Sequence, residues 1–360
     1  MTGDKNISQT RRVLGFFIIS GITLGLVLFA SSSSKTWEAL GMINLRSIMV
    51  LTILSALMFV FDALRTVILS HSLGHPLPIL HAMKIMFIGR FFGAITPLQS
   101  GMMPAEMYML HRHGLPLGQA ISIDVIKRIA TMGVLAIGGV VVLLFDKTLS
   151  SNRVMVYVYY YVVFFYIFLT GIFFFVYLFP KQTHWIINQV MDRLHKMGRV
   201  KDYGIDKYVH NIAKDYSWSL DFYLHNGFIS FLASLAATIV FIVIQFIMAP
   251  VIIHCLGFSS SYMEAFKAQV ILMPMLYFSP TPGGSGLAEG GFALLFSSFI
   301  PKYLIGITVV LWRVFITYIG VGIGGLLAMG SIDPNKILGR KKGFSDMGDA
   351  KSTKENRISY

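Results

Sequence analysis

Apolar and polar positions alternate along this chain in long blocks, and the apolar blocks are of two kinds. Val13 to Ala30 is an uncharged run of 18 residues, close to the roughly 20 that cross about 30 Å of hydrocarbon at 1.5 Å per residue. Ile48 to Ser70, Leu117 to Phe145, Val154 to Phe179, Gly227 to Leu256 and Tyr303 to Met329 are of the same kind, giving about six full spans. The second kind is interrupted. Leu77 to Thr96 carries His81, Lys84 and Arg90, ends at Thr96-Pro97, and is followed by Gly101 and by Pro104 to His113, a segment too short to cross. Met263 to Ile300 is broken by FSPTPGGSGLAEGG at Phe278 to Gly291, which holds two prolines, five glycines and an acid. Irregular backbone at membrane depth is tolerated only where protein or a wet cavity satisfies its polar groups. Both interrupted blocks therefore read as re-entrant helical hairpins.

The expected fold class is an all-α polytopic membrane protein with about six full spans plus two re-entrant hairpins. Residues 1–179 form a first membrane half containing hairpin 77–113, and 227–330 a second half containing hairpin 263–300. Between them, 180–226 mixes Lys181, Arg193, Lys196, Arg199, Lys201, Lys207 and Lys214 with Trp185, Ile186, Val190 and Leu194, the pattern of an amphipathic cytoplasmic connector at the membrane surface. Residues 331–360 are a polar, basic tail, expected to be disordered.

The two hairpins are related in sequence. An offset of 185 superimposes Thr96-Pro97 on Thr281-Pro282, Gly101 on Gly286, Pro116 on Pro301, Arg128 on Arg313 and Gly139 on Gly324 without a gap. With the N-terminus inside, the basic connector and basic tail also fall inside, while the less basic loops Ser31 to Arg46 and Asp146 to Arg153 fall outside. Both termini are then cytoplasmic in a cell membrane, and the first hairpin enters from the cytoplasm, the second from outside. Such an inverted repeat with broken helices near the midplane is a transporter architecture.

Composition sharpens the class. A hydrophobic share of 55% with 13% charged residues and a mean hydropathy of +0.68 is too apolar for an ordinary soluble domain. The net charge of +13 lies in the terminal and central segments between spans, which is the positive-inside pattern and not a nucleic-acid surface. Cys255 is the single cysteine, so no disulfide framework and no Cys-based metal site is expected. His71, His75, His81, His111 and His113 lack metal spacing. GxSxG, Walker A and dinucleotide patterns are missing as well, so neither a metal nor another cofactor nor an enzymatic activity is expected.

Candidate chemistry lies in charges at membrane depth. Arg128 is 11 residues into its span and Arg313 is 10 into its own, roughly 15 Å along each helix. A charge there costs about 2.5 to 3.5 kcal/mol on insertion scales and faces a cavity or a partner. Each arginine can hold a lipid phosphate with its guanidinium fork, or lock helices together through Asp124 and Glu289 respectively. Gly101, Gly283, Gly284 and Gly286, beside Pro97 and Pro282, offer backbone N–H groups to a phosphate at a helix start, or simply permit a tight turn. Glu106 and Glu289 can sense protons, contact a head-group amine, or cap the helices that follow. Asp62, Arg65 and Arg90 join Asp124 as further candidates, with structural ion pairing the competing reading.

Three segments carry a family resemblance: TPLQSGMMPAEMYMLHRHG at Thr96 to Gly114, SPTPGGSGLAEGGF at Ser279 to Phe292, and LWRVFITY at Leu311 to Tyr318. They resemble the lysylphosphatidylglycerol synthase transmembrane-region family, whose members are described as flippase-like. The resemblance implies that Pro282, Gly283, Gly284, Gly286, Glu289 and Arg313 form one functional element and Pro97, Gly101, Glu106 and Arg128 the other. Where the family's first element tends to read GG before its acid, this chain has Met102-Met103, which narrows that tip. Only about 30 residues follow the last span, leaving no room for the family's soluble aminoacyl-transferase domain. The implied role is flippase-like handling of an anionic or zwitterionic phospholipid, or another lipid-phosphate, without lysyl-lipid synthesis, with membrane lipids as partners and a lipid-modifying enzyme as a candidate protein partner. The alternative, an integral-membrane transferase or subunit acting on a polyprenyl-phosphate or phospholipid acceptor, needs a catalytic acid in an outer loop, and those loops hold only Glu38 and Asp146.

Overall fold

The computed structural model describes residues 34–145 and 205–331 apart from Phe278, with isolated positions at Gly25 and between 157 and 189. The expected spans at Val13 to Ala30 and Val154 to Phe179, most of the connector before Ile205 and the basic tail lie largely outside the described residues. No strand occurs among the described residues. The elements described in full are the helices α1 (Ser34–Gly41), α2 (Leu45–Ser72), α3 (Ile79–Ala94), α4 (Met102–Arg112), α5 (Leu117–Phe145), α6 (Ile205–Leu224), α7 (Phe228–Cys255), α8 (Tyr262–Tyr277), α9 (Leu287–Phe296), α10 (Lys302–Arg313) and α11 (Ile319–Ser331). A π-helical turn, Val314–Tyr318, joins the last two.

Four of these stretches are long and apolar enough to cross a membrane: Leu45–Ser72, Leu117–Val142, Phe228–Cys255 and Lys302–Gly330. They coincide with four of the six expected spans. The two interrupted blocks fold as helix–turn–helix hairpins, α3 with α4 and α8 with α9, each turning through a short 3-10 segment at Pro97–Gln99 or Pro282–Gly284. The two turns touch, and the Leu98 N–H donates to the Ser279 carbonyl at 3.0 Å. Helix α2 lies along α7, and α11 lies along α3.

The 185-residue offset reappears in the element boundaries. The two 3-10 turns, the starts of α4 and α9, and the starts of α5 and α10 coincide in that register, while α2 and α3 match α7 and α8 to within two residues. Backbone conformation follows the register too. Leu98 and Gln99 have φ of 55° and 51°, and their counterparts Gly283 and Gly284 have 59° and 70°. The second tip takes the left-handed turn with glycines, and the first imposes it on two residues with Cβ atoms, at a cost of about 1–2 kcal/mol each.

Breaks inside the spans are repaired by side chains. Pro250 lies within α7 and cannot donate to the Phe246 carbonyl. The Gln269 amide of α8 donates to that carbonyl instead, at 2.7 Å. At the π turn, the Ser55 hydroxyl donates to the Phe315 carbonyl at 2.7 Å and Arg90 to the Ile316 carbonyl at 3.4 Å. In hydrocarbon each unmet carbonyl would cost several kcal/mol.

Apolar packing fills the rest. One core gathers Phe241, Phe246, Met273, Phe292, Phe296 and Trp312, with the Phe292 and Phe296 rings stacked at 3.7 Å. A second gathers Leu69, Ile85, Leu110, Ile126, Tyr216 and Tyr223. Two elements differ from expectation. The stretch Ser31 to Arg46, read as a plain outer loop, contains α1, whose Thr36 hydroxyl donates to the Tyr303 carbonyl at 2.8 Å. The amphipathic connector ends in α6, whose buried Tyr216, Leu220 and Tyr223 pack on protein, with the Tyr223 hydroxyl donating to the Leu69 carbonyl at 2.7 Å. An apolar stripe can be covered by neighbouring helices as well as by lipid.

Two stability tests follow from this packing. A methyl group on Gly324 of α11 would stand 2.0 Å from the Phe87 carbonyl oxygen of α3, whereas one on Gly322 would meet nothing within 4 Å. Gly324→Ala should lower the thermal unfolding midpoint in detergent by the equivalent of about 1–3 kcal/mol, with Gly322→Ala unchanged; equal midpoints would refute the close α3–α11 crossing. At the tips, Gly284→Ala should destabilise by roughly 1–2 kcal/mol and Leu98→Gly should stabilise, and the reverse order in the same melts would refute the left-handed turn.

Candidate functional site

The tips of the two hairpins and the middles of α2, α5 and α7 enclose a cavity of about 670 Å³. Its wall is mostly apolar, with Met102, Met103, Ile129, Met132 and Phe241 among the lining residues, yet it also carries five cations and three carboxylates. The ionic side chains fall into three groups, each placed by the local helix geometry.

The first group is centred on Asp62 of α2. Its carboxylate takes a charge-assisted hydrogen bond from Arg65, one turn along the same helix, and another from Arg90 of α3 at 2.6 Å. Arg65 donates onward to the Thr131 hydroxyl at 2.8 Å and lies 4.7 Å from the Phe241 ring centroid, while Arg90 lies 5.0 Å from that of Phe59. One carboxylate therefore serves two guanidiniums, and aromatic faces supply part of the remaining stabilisation.

A second group sits where α4 meets α5. Lys127 Nζ contacts Glu106 Oε2 at 2.9 Å and Asp124 Oδ1 at 3.7 Å, and Arg128 contacts Asp124 Oδ2 at 3.7 Å. Three- and four-residue spacings put Asp124, Lys127 and Arg128 on one side of α5. The Arg128 side chain keeps 30% of its exposure, against 7% for Lys127 and 1% for Asp124. Arg128 Nε has no hydrogen-bond partner. It is the most available cation of the site.

In the third group, Arg313 and Glu289 approach to 3.1 Å with side chains 2% and 0% exposed. Arg313 also donates to the Gly283 carbonyl at 3.1 Å, so the arginine ties the end of α10 to the second tip. Glu289 in turn accepts from the Gly286 N–H at 2.6 Å and caps α9. Across the three groups, five cations face four carboxylates, leaving one positive charge unmatched.

Of the residues singled out by sequence, Arg128, Arg313, Glu106 and Gly283 line the cavity together with Asp62, Arg65, Arg90 and Asp124. Pro97, Gly101, Pro282, Gly284, Gly286 and Glu289 are not among the lining residues and shape the tips behind them. Three of the four tip N–H groups that a phosphate could have used are occupied from within the chain: that of Gly101 by the Thr96 hydroxyl at 2.8 Å, that of Gly286 by Glu289, and that of Gly284 by the Thr281 carbonyl at 3.1 Å. Lys127 was overlooked as a site residue. Its spacing of three from Asp124 within an apolar span was the available signal. Thr131, Gln245 and Tyr277, also on the wall, carry no such signal.

Comparison with known proteins points to a membrane protein. The chain is 24% identical over 328 residues to a UPF0104 membrane protein of Archaeoglobus fulgidus, covering 89% of this chain and 98% of that relative. No solved structure matches the chain. The family model described as the lysylphosphatidylglycerol synthase TM region matches residues 12–324. With its apolar helices and paired hairpins, the chain is a membrane protein that belongs to the lysylphosphatidylglycerol synthase transmembrane-region family.

Proposed function

We propose that the protein is a flippase-like carrier, not an enzyme, that moves a phospholipid or other lipid-phosphate between the leaflets of the cell membrane. The observation that carries this reading is the cavity between the two hairpin tips, lined by five cations and a largely apolar wall. An anionic head group needs cations in a site of low dielectric, and acyl chains need apolar surroundings; the lining of this cavity has both. The guanidinium of Arg128 is the primary phosphate donor, since its side chain is 30% exposed and its nearest carboxylate oxygen stands 3.7 Å away, which leaves it able to form charge-assisted hydrogen bonds. Arg65 and Arg90 add a positive field from behind Asp62. Arg313, with Glu289, keeps the second tip in place.

On this reading the hairpins are re-entrant and the halves form an inverted repeat, with both termini cytoplasmic. The common register of helix starts and of left-handed tip residues supports a duplication. Two halves of opposite orientation can exchange inward-open and outward-open arrangements around a fixed site.

Two experiments test these points. In liposomes carrying fluorescent phosphatidylglycerol, the protein should speed the lipid's loss from access to a membrane-impermeant quencher. Arg128→Gln should slow it by about tenfold or more, as expected for loss of a bond to a charged group of about 1.5–3 kcal/mol, while Gly322→Ala matches the unmodified protein. Protein-free rates with the unmodified chain, or full activity in Arg128→Gln, would overturn the assignment. For topology, cysteines placed singly at Arg112 and Ser297, the exposed ends of the two hairpins, in a Cys255→Ser background should react with impermeant maleimide from opposite sides of the membrane; labelling from one common side would exclude the inverted arrangement.

A further inference from the structure

Asp124 is held differently from the other buried acids in and behind the cavity wall. Asp62 is clasped by two guanidiniums, and Glu289 accepts the Gly286 N–H. Asp124 is 1% exposed, its nearest cations stand 3.7 Å away, and its Oδ2 receives no hydrogen bond. Its carboxyl shares a cation with the equally buried Glu106 carboxyl, Lys127 Nζ standing 3.7 Å from Asp124 Oδ1 and 2.9 Å from Glu106 Oε2. Two buried carboxylates that share one ammonium repel each other, and a proton on one of them relieves the repulsion. Lys127 touches both and supplies one positive charge to the pair.

We propose that the Glu106 and Asp124 carboxyls form a proton-binding site coupled to the anion site at Arg128, so that a lipid anion and a proton are bound and carried together. The inference rests on the carrier reading above and adds its coupling ion. Arg128 is the link. In the empty cavity its guanidinium leans on Asp124 Oδ2. When it turns to a phosphate, Asp124 loses that cation and gains a negative neighbour, and both changes favour a proton on the pair. The proton comes from water on the side to which the cavity is open, joins a carboxylate oxygen, and leaves with the lipid on the other side.

Other charged or titratable groups around the cavity do not replace this link. From α2 and α3, Asp62, Arg65 and Arg90 form their own cluster. From α10, Arg313 is engaged by Glu289 of α9. Helix α8 contributes the Tyr277 hydroxyl, and α7 the uncharged Gln245. Linkage is reciprocal: if the anion strengthens proton binding, the proton strengthens anion binding by the same factor. Affinity for the anion is then highest at low pH, falls by up to about tenfold per pH unit as the empty pair gives up its proton, and levels off above.

The test uses the full-length protein in detergent, with dioctanoyl phosphatidylglycerol as the anionic probe and dioctanoyl phosphatidylcholine as comparator. Titration calorimetry in buffers of different ionisation enthalpy should register net proton uptake, approaching about one per bound phosphatidylglycerol at most, and infrared difference spectra should gain the C=O stretch of a protonated carboxyl. In Asp124→Asn the pH slope, the proton uptake and the new band should disappear. Glu106→Gln should reduce them and serves in its place if Asp124→Asn does not fold. Binding and transport of phosphatidylglycerol without proton uptake or pH slope would overturn the coupling and leave the carrier reading standing. An undiminished slope in Asp124→Asn would overturn the site. Failure of phosphatidylglycerol to bind at any pH, with no transport in liposomes, would overturn both.

Discussion

Charge neutralisation in a site largely withdrawn from water is the constraint on which this structure depends. Nine charged side chains surround or back one cavity, and all but Arg90 and Arg128 are buried. A lone ion in such a place would unfold or reposition its helix, because desolvation alone costs several kcal/mol. The chain meets this by joining elements far apart in sequence: Asp62 gathers Arg90 from the first hairpin, Lys127 reaches Glu106 across from it, and Arg313 grips the second tip. Each pairing fixes a helix in register with its neighbour. The same constraint leaves Arg128 conspicuous as the cation whose counter-ion is distant and whose side chain still faces open space.

Much of this was legible in the sequence, and the reasons differ by feature. Long apolar runs gave four spans directly, because nothing but a helix satisfies the backbone over such a length in hydrocarbon. The hairpins were legible through Thr-Pro and glycine at matching offsets. The arginines at depth stood out by their cost. Lys127 did not, because it sits between two more conspicuous charges and its partner Glu106 is 21 residues away. Nor could spacing foretell that Thr96 and Glu289 would occupy the tip N–H groups. Such bonds depend on side-chain reach in three dimensions. The pairing of one carboxylate with two guanidiniums at Asp62 is similarly tertiary.

The tips show how one backbone shape can be written in two ways. Gly283-Gly284 and Leu98-Gln99 adopt nearly the same left-handed pair of conformations. In the second tip the chemistry permits the turn; in the first the surroundings enforce it, through the Thr96 hydroxyl on Gly101 and the backbone bond from Leu98 to Ser279. A motif search tuned to glycine finds only one of them.

Pro250 and Gln269 have a consequence for how this chain can vary over generations. The proline frees the Phe246 carbonyl, and the amide nineteen positions on occupies it. Losing the amide alone strands a carbonyl, whereas losing the proline alone merely makes the amide redundant. Drift is therefore directional: among descendants, a helix with proline and no amide should be rare, while a helix with amide and no proline is the permitted intermediate through which the pair is gained or lost.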